Sequence, residues 1–109
     1  MIVGVGIDIV AVSRLAAALS RTPSLRERLF TPAEADLDLD SLAGRFAVKE
    51  AVAKALSRPA GMAWRDAEVI RGDGGRPVLS VRGYEHLHWH VSIAHDGGLA
   101  TATVIAESR

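Results

Sequence analysis

The run Leu42–Leu56, LAGRFAVKEAVAKAL, limits the possible folds more than any other segment of the chain. It contains no proline, and Val48, Ala51, Val52, Ala55 and Leu56 fall at i, i+3, i+4, i+7 and i+8. That spacing predicts an amphipathic helix with those residues as its core-facing stripe. Arg45, Lys49, Glu50 and Lys54 are expected on its other side. At about 100° per residue, Glu50 and Lys54 stand within about 40° of each other. One carboxylate among three cations suits a metal ion together with phosphates. A solvated face with an ordinary i,i+4 Glu–Lys pair, worth about 0.2–0.5 kcal/mol, accounts for the same spacing.

The opening segment, MIVGVGIDIV, is β-branched and apolar with one carboxylate inside it, which favours a buried strand. Alternation puts Val3, Val5, Ile7 and Ile9 on one face and Gly4, Gly6 and Asp8 on the other. Two glycines beside an acid leave room for another backbone or a ligand to come close. An ionised Asp8 inside a strand must be paired, hydrogen-bonded or metal-bound, unless it sits at the strand's exposed end and caps the next helix.

Between these two segments, Ser13 or a neighbour opens a helix to about Ser20, with Val12, Leu15, Ala16 and Leu19 inward and Arg14 and Arg21 projecting together. Thr22-Pro23-Ser24 breaks it, and Leu25–Phe30 forms a short helical turn. Thr31-Pro32-Ala33-Glu34 carries a capping box with Pro32 at the first helical position. Asp40 or Ser41 is expected to cap the long helix, and Pro59 to end it. Two hairpins follow. Residues 68–71 and 77–81 flank Gly72-Asp73-Gly74-Gly75, and residues 90–95 and 99–105 flank Asp96-Gly97-Gly98. A strand, then helices, then antiparallel strands make an α+β pattern, read as one domain over residues 1–109.

The chain carries 13 cations and 13 anions, so no global field points to nucleic acid. The charges are nevertheless local: residues 31–40 hold four acids and no cation, while residues 41–58 hold four cations and one acid. Such patches suit an acidic partner or a polyphosphate. Cysteine is absent, which excludes disulfides and thiolate metal sites. The apolar start is too short to span a bilayer and lacks a basic region before it, so no membrane segment is expected and the cytoplasm is the expected location. His86, His88 and His90 alternate along a strand without the ligand spacing of structural zinc or an HExxH helix, and no functional metal is expected there. His95 sits at a strand end beside a glycine turn, where functional side chains are often displayed.

Four motifs in order resemble the holo-acyl-carrier-protein synthase family of 4′-phosphopantetheinyl transferases: Gly4–Val10 (GVGIDIV), Arg28–Glu34 (RLFTPAE), Leu42–Leu56, and His90–His95 (HVSIAH). The AGRFAxKEAxxKA string is the specific one. The resemblance implies transfer of 4′-phosphopantetheine from coenzyme A to a serine of apo acyl carrier protein, with 3′,5′-ADP leaving. It also implies a homotrimer with sites between neighbouring subunits. Asp8 and Glu50 would be the Mg²⁺ ligands, in keeping with that ion's demand for hard oxygens. Lys54 would grip the transferred phosphate, and Glu50, through a water, would be the general base. Arg45 and Lys49 would meet nucleotide phosphates, while Pro77 and His95 would line the coenzyme A site. Arg14 and Arg21 would dock the acidic helix of the carrier. The chain departs from the family pattern in a short Leu37–Ser41 link, in the Ser57–Gly61 loop where a glycine-containing loop is usual, and at Asp96.

Overall fold

A computed structural model describes residues 1–109. Strand β1 (Ile2–Ala11) runs directly into helix α1 (Val12–Arg21), followed by the short helices α2 (Leu25–Leu29) and α3 (Pro32–Ala35) and the long α4 (Leu39–Ala55). The hairpin β2 (Ala67–Arg71) and β3 (Pro77–Val81) comes next, then β4 (Leu87–Asp96) and β5 (Leu99–Ser108). One antiparallel sheet has the order β1-β5-β4, and β2-β3 form a second, two-stranded sheet. The domain is therefore α+β with antiparallel sheets, and both expected hairpins form. In the β4–β5 turn, Asp96 pairs with Leu99, and Gly97 and Gly98 both take positive φ, the geometry of a type I′ turn.

The core lies between the larger sheet and α4. The inward row of β5 is Ala100, Ala102, Val104 and Ala106, and α4 meets it with a surface rich in alanine that includes Ala43, Ala47, Val48 and Ala51. Small side chains on both sides let the helix lie close to the sheet. The closest approach is to β1: a Cβ at Gly4 would overlap the Ala55 carbonyl, and one at Gly6 the Ala51 carbonyl. The glycine row thus serves the approach of another backbone.

That packing corrects the picture of β1 as a strand with its apolar residues buried. The Gly4–Gly6–Asp8 face turns toward α4, leaving Val3, Val5, Ile7 and Ile9 on the open face at 51–62% exposure. Helix α4 is also enclosed more fully than an amphipathic stripe predicts. Arg45 and Lys49 are buried with the apolar residues, because α3 and β2 close over the side expected to face solvent.

Two caps differ from expectation. Asp38, not Asp40 or Ser41, caps α4, its Oδ1 accepting from the Ser41 N–H at 2.8 Å, and this bond holds the Asp38 carboxyl below the usual range. At α3 only half of the capping box is made. Glu34 Oε1 accepts from the Thr31 N–H at 3.0 Å, while the Thr31 hydroxyl donates to Glu68. Helix α1 starts at Val12 without a side-chain cap, one residue before Ser13.

Candidate active site

Asp8 lies on the α4 side of β1, one alternation beyond Gly6. Lys54, in the last turn of α4, reaches back to it: its Nζ donates to Asp8 Oδ1 at 3.0 Å and to the Ile7 carbonyl at 2.9 Å. Thr101 on β5 donates its hydroxyl to the Asp8 carbonyl at 2.8 Å, which fixes the backbone there. Glu50 stands one turn before Lys54. Its pKa is raised, first by burial and then by the charge of Asp8, against the opposing pull of Arg58 and Lys54. The two carboxylates therefore share one electrostatic neighbourhood beneath β1. Two acids that feel each other's charge, both offering oxygen, suit a hard divalent cation.

Arg58 was not singled out from the sequence. It arrives beside Glu50 because Ser57 and Arg58 both adopt the left-handed backbone region, with φ of 59° and 52°, which turns the chain back over the end of α4. The Arg58 N–H bonds to the Ala53 carbonyl at 2.6 Å. The loop that departs from the family pattern thus delivers a cation to the neighbourhood of Glu50. Only the non-glycine residues before Pro59 hinted at it.

An open groove of about 250 Å³ leads from Asp8 along β1 and α1, lined by Arg14, Leu15, Leu25, Leu29 and Phe46 among others. Arg14 is thereby joined to the Asp8 site. Arg21 is exposed at the far end of α1.

A second cleft, about 190 Å³, holds Ser41, Arg45, Arg71, Gly75, Pro77, Ile93 and His95. The fold gathers three of the expected residues, Arg45, Pro77 and His95, from α4, β3 and β4. It adds Arg71, which reaches the cleft because it pairs with Pro77 across the β2–β3 hairpin. His95 Nε2 donates to the Asp40 carbonyl at 2.8 Å, and Gly44 leaves room for the imidazole against α4. Arg45 is only 8% exposed, and its Nε has no hydrogen-bond partner. Burial lowers its pKa and Arg71 adds to that, while Glu34 opposes it. A buried guanidinium with a free donor beside a second arginine makes this cleft receptive to an anion.

Lys49 does not join either cleft as a free cation. It is 2% exposed, its Nζ donates to Glu34 Oε1 at 2.8 Å and to the Ala67 carbonyl, and Glu34 also accepts from the Val69 N–H at 2.9 Å. Burial lowers the Lys49 pKa and Glu34 partly restores it. The pair ties α3 and β2 to α4. Arg45 and Lys49 share one flank of the helix, Glu50 and Lys54 another, so the expected residues divide into two separate groups.

The fold that carries these two clefts is that of a known class of transferases. The family model of the 4′-phosphopantetheinyl transferase superfamily matches residues 4–104. The holo-[acyl-carrier-protein] synthase of Beutenbergia cavernae is 55% identical over 115 residues, covering 98% of this chain and 99% of its own. That of Frankia alni is 53% identical over 116 residues, covering 98% of each. Among solved structures, the holo-(acyl-carrier-protein) synthase of Bacillus anthracis, in complex with CoA (3′,5′-ADP), superposes with a TM-score of 0.87 at 35% identity, covering 100% of this chain and 99% of its own. The acyl carrier protein synthase of Mycobacterium tuberculosis gives 0.81 at 36% identity, covering 100% of each. The chain belongs to the 4′-phosphopantetheinyl transferase superfamily and, within it, to the holo-[acyl-carrier-protein] synthases; it is an enzyme, a phosphopantetheinyl transferase.

Proposed function

We propose that this enzyme transfers 4′-phosphopantetheine from coenzyme A to a serine hydroxyl of an apo acyl carrier protein, with Mg²⁺ held by Asp8 and Glu50. The serine oxygen forms a bond to the β-phosphorus, the pyrophosphate bond breaks, and 3′,5′-ADP leaves with the electron pair. The observation that carries this reading is the grouping of Asp8, Glu50 and Lys54 under β1, where Lys54 bonds Asp8 and the charge of Asp8, after burial, raises the Glu50 pKa. Bound there, the ion would neutralise pyrophosphate charge. Lys54, already turned toward Asp8, grips the transferred phosphate. Glu50, whose basicity is raised, accepts the serine proton through a water. Arg45, with Arg71, meets a nucleotide phosphate in the second cleft, and Pro77 and His95 form its walls. Lys49 supports that cleft by holding α3 and β2 in place.

The two clefts belong to different flanks of α4, and the apolar row of β1 is uncovered. Both facts support a homotrimer in which one subunit's basic cleft faces a neighbour's Asp8–Glu50–Lys54 group. Arg14, on the groove leading to Asp8, and Arg21 dock the acidic surface of the carrier. No helix is long and apolar enough to cross a membrane, and we place the reaction in the cytoplasm. Incubation with apo carrier, coenzyme A and Mg²⁺, followed by mass spectrometry of the carrier, tests the reading. The expected product gains one phosphopantetheine, and the Asp8→Ala enzyme yields none. A wild-type enzyme that leaves every apo carrier unmodified while binding coenzyme A would reduce it to a silent binding protein.

A further inference from the structure

The outer face of the larger sheet carries a second set of metal-ligand side chains, remote from Asp8. His88 and His90 are two residues apart on β4, and their rings stack with centroids 4.4 Å apart. Glu107 on β5 lies directly opposite His88. Its Oε1 is 2.9 Å from His90 Nε2 and 3.9 Å from His88 Nδ1, so one carboxylate oxygen points into the space between both imidazoles. One ligand atom from each of the three residues lies within 4.8 Å of the others. His86 is not part of the group. It precedes β4 and stacks on Tyr84.

We propose that His88, His90 and Glu107 form a binding site for a borderline divalent transition-metal ion, for which Zn²⁺ and Ni²⁺ are the probes. Two imidazoles and a carboxylate suit late first-row ions rather than Mg²⁺, which prefers oxygen alone. Ligands bonded to zinc at about 2.0–2.2 Å stand about 3–3.5 Å apart, so the His90–Glu107 pair nearly has that spacing and a small side-chain rotation brings in His88. Binding replaces the His90–Glu107 hydrogen bond: the ring proton passes to the opposite nitrogen, and the Nε2 lone pair turns to the ion. The strands hold the three Cβ atoms in register, so the backbone is already ordered for the ion. Both histidines are exposed in the single chain, on the same face of the sheet as the β1 apolar row. The bound ion would clip β4 to β5 near the chain's end.

The site is independent of the proposed catalytic centre. Asp8 pairs with Ala102, five residues before Glu107 on β5, a separation of about 17 Å at about 3.4 Å per residue, and it faces the other side of the sheet. The tag-free full chain, titrated calorimetrically with Zn²⁺ or Ni²⁺ in excess Mg²⁺, should bind one ion per chain and melt at a higher temperature with it. His88→Ala and His90→Ala should each weaken binding about tenfold or more, since even groups that only support a ligand are worth that much. Glu107→Gln should weaken it too, and Asp8→Asn should leave it unchanged. The absence of saturable binding, or undiminished binding in the double variant H88A/H90A, would overturn the proposal. So would binding lost in Asp8→Asn but kept in His90→Ala.

Discussion

At the scale of single residues, Glu50 and Ser57 show how the site departs from the most stable arrangement. A carboxyl whose pKa is raised on folding binds more protons in the folded than in the unfolded chain, so it costs stability as pH rises above the unfolded value of about 4.3. Glu50→Gln is therefore expected to raise the melting temperature at pH 7.5 in metal-free buffer and to bring no gain below about pH 4, where both states are protonated. Thermal melts across that range check it, and the same variant should lose transfer. Ser57 holds a left-handed backbone that a side chain disfavours by about 1–2 kcal/mol, so Ser57→Gly should stabilise the fold by about 1 kcal/mol in urea unfolding. That strain is the condition for bringing Arg58 toward Glu50.

At the scale of elements, α4 is the organising piece, and its buried ion pair is its most vulnerable joint. Lys49→Met leaves the Glu34 carboxylate buried without its cation, and breaking such a pair typically costs about 3–5 kcal/mol. Urea unfolding should show a loss of that order. If Lys49 acts only through the fold, the KM for coenzyme A should change little in protein that remains folded. The sequence made α4 legible through its periodicity but misassigned Lys49, because a lysine on a helical wheel reads as solvated. Only the return of α3 and β2 over that flank shows otherwise. The short acidic link held a similar surprise, since several adjacent residues can cap a helix and the backbone path selects Asp38.

At the scale of the whole molecule, β1 presents an unpartnered row of Val3, Val5, Ile7 and Ile9, an unusual amount of aligned apolar surface for an isolated chain. Ile7→Glu should convert a three-chain assembly into monomers by sedimentation equilibrium and abolish transfer while the circular dichroism of the fold persists. A monomeric wild type would remove the shared-site arrangement. Arg14→Glu should raise the KM for carrier, most strongly at low ionic strength, with coenzyme A binding nearly intact, since charges at a rim act mainly on association. An unchanged carrier KM at low salt would take Arg14 off the docking surface.

The local patterns sufficed for the α+β order of elements, the two glycine turns, the long helix and the candidacy of Asp8, Glu50 and Lys54. Each of these depends on neighbours close along the chain, where periodicity and turn chemistry act. Which face of β1 is covered, which cations on α4 stay free, the approach of Arg58 to Glu50, the entry of Arg71 into the second cleft, and the meeting of Glu107 with two histidines depend on residues distant in sequence. The tertiary structure alone decided those, because burial and charge pairing are set by whatever element packs alongside, and no local pattern records its identity.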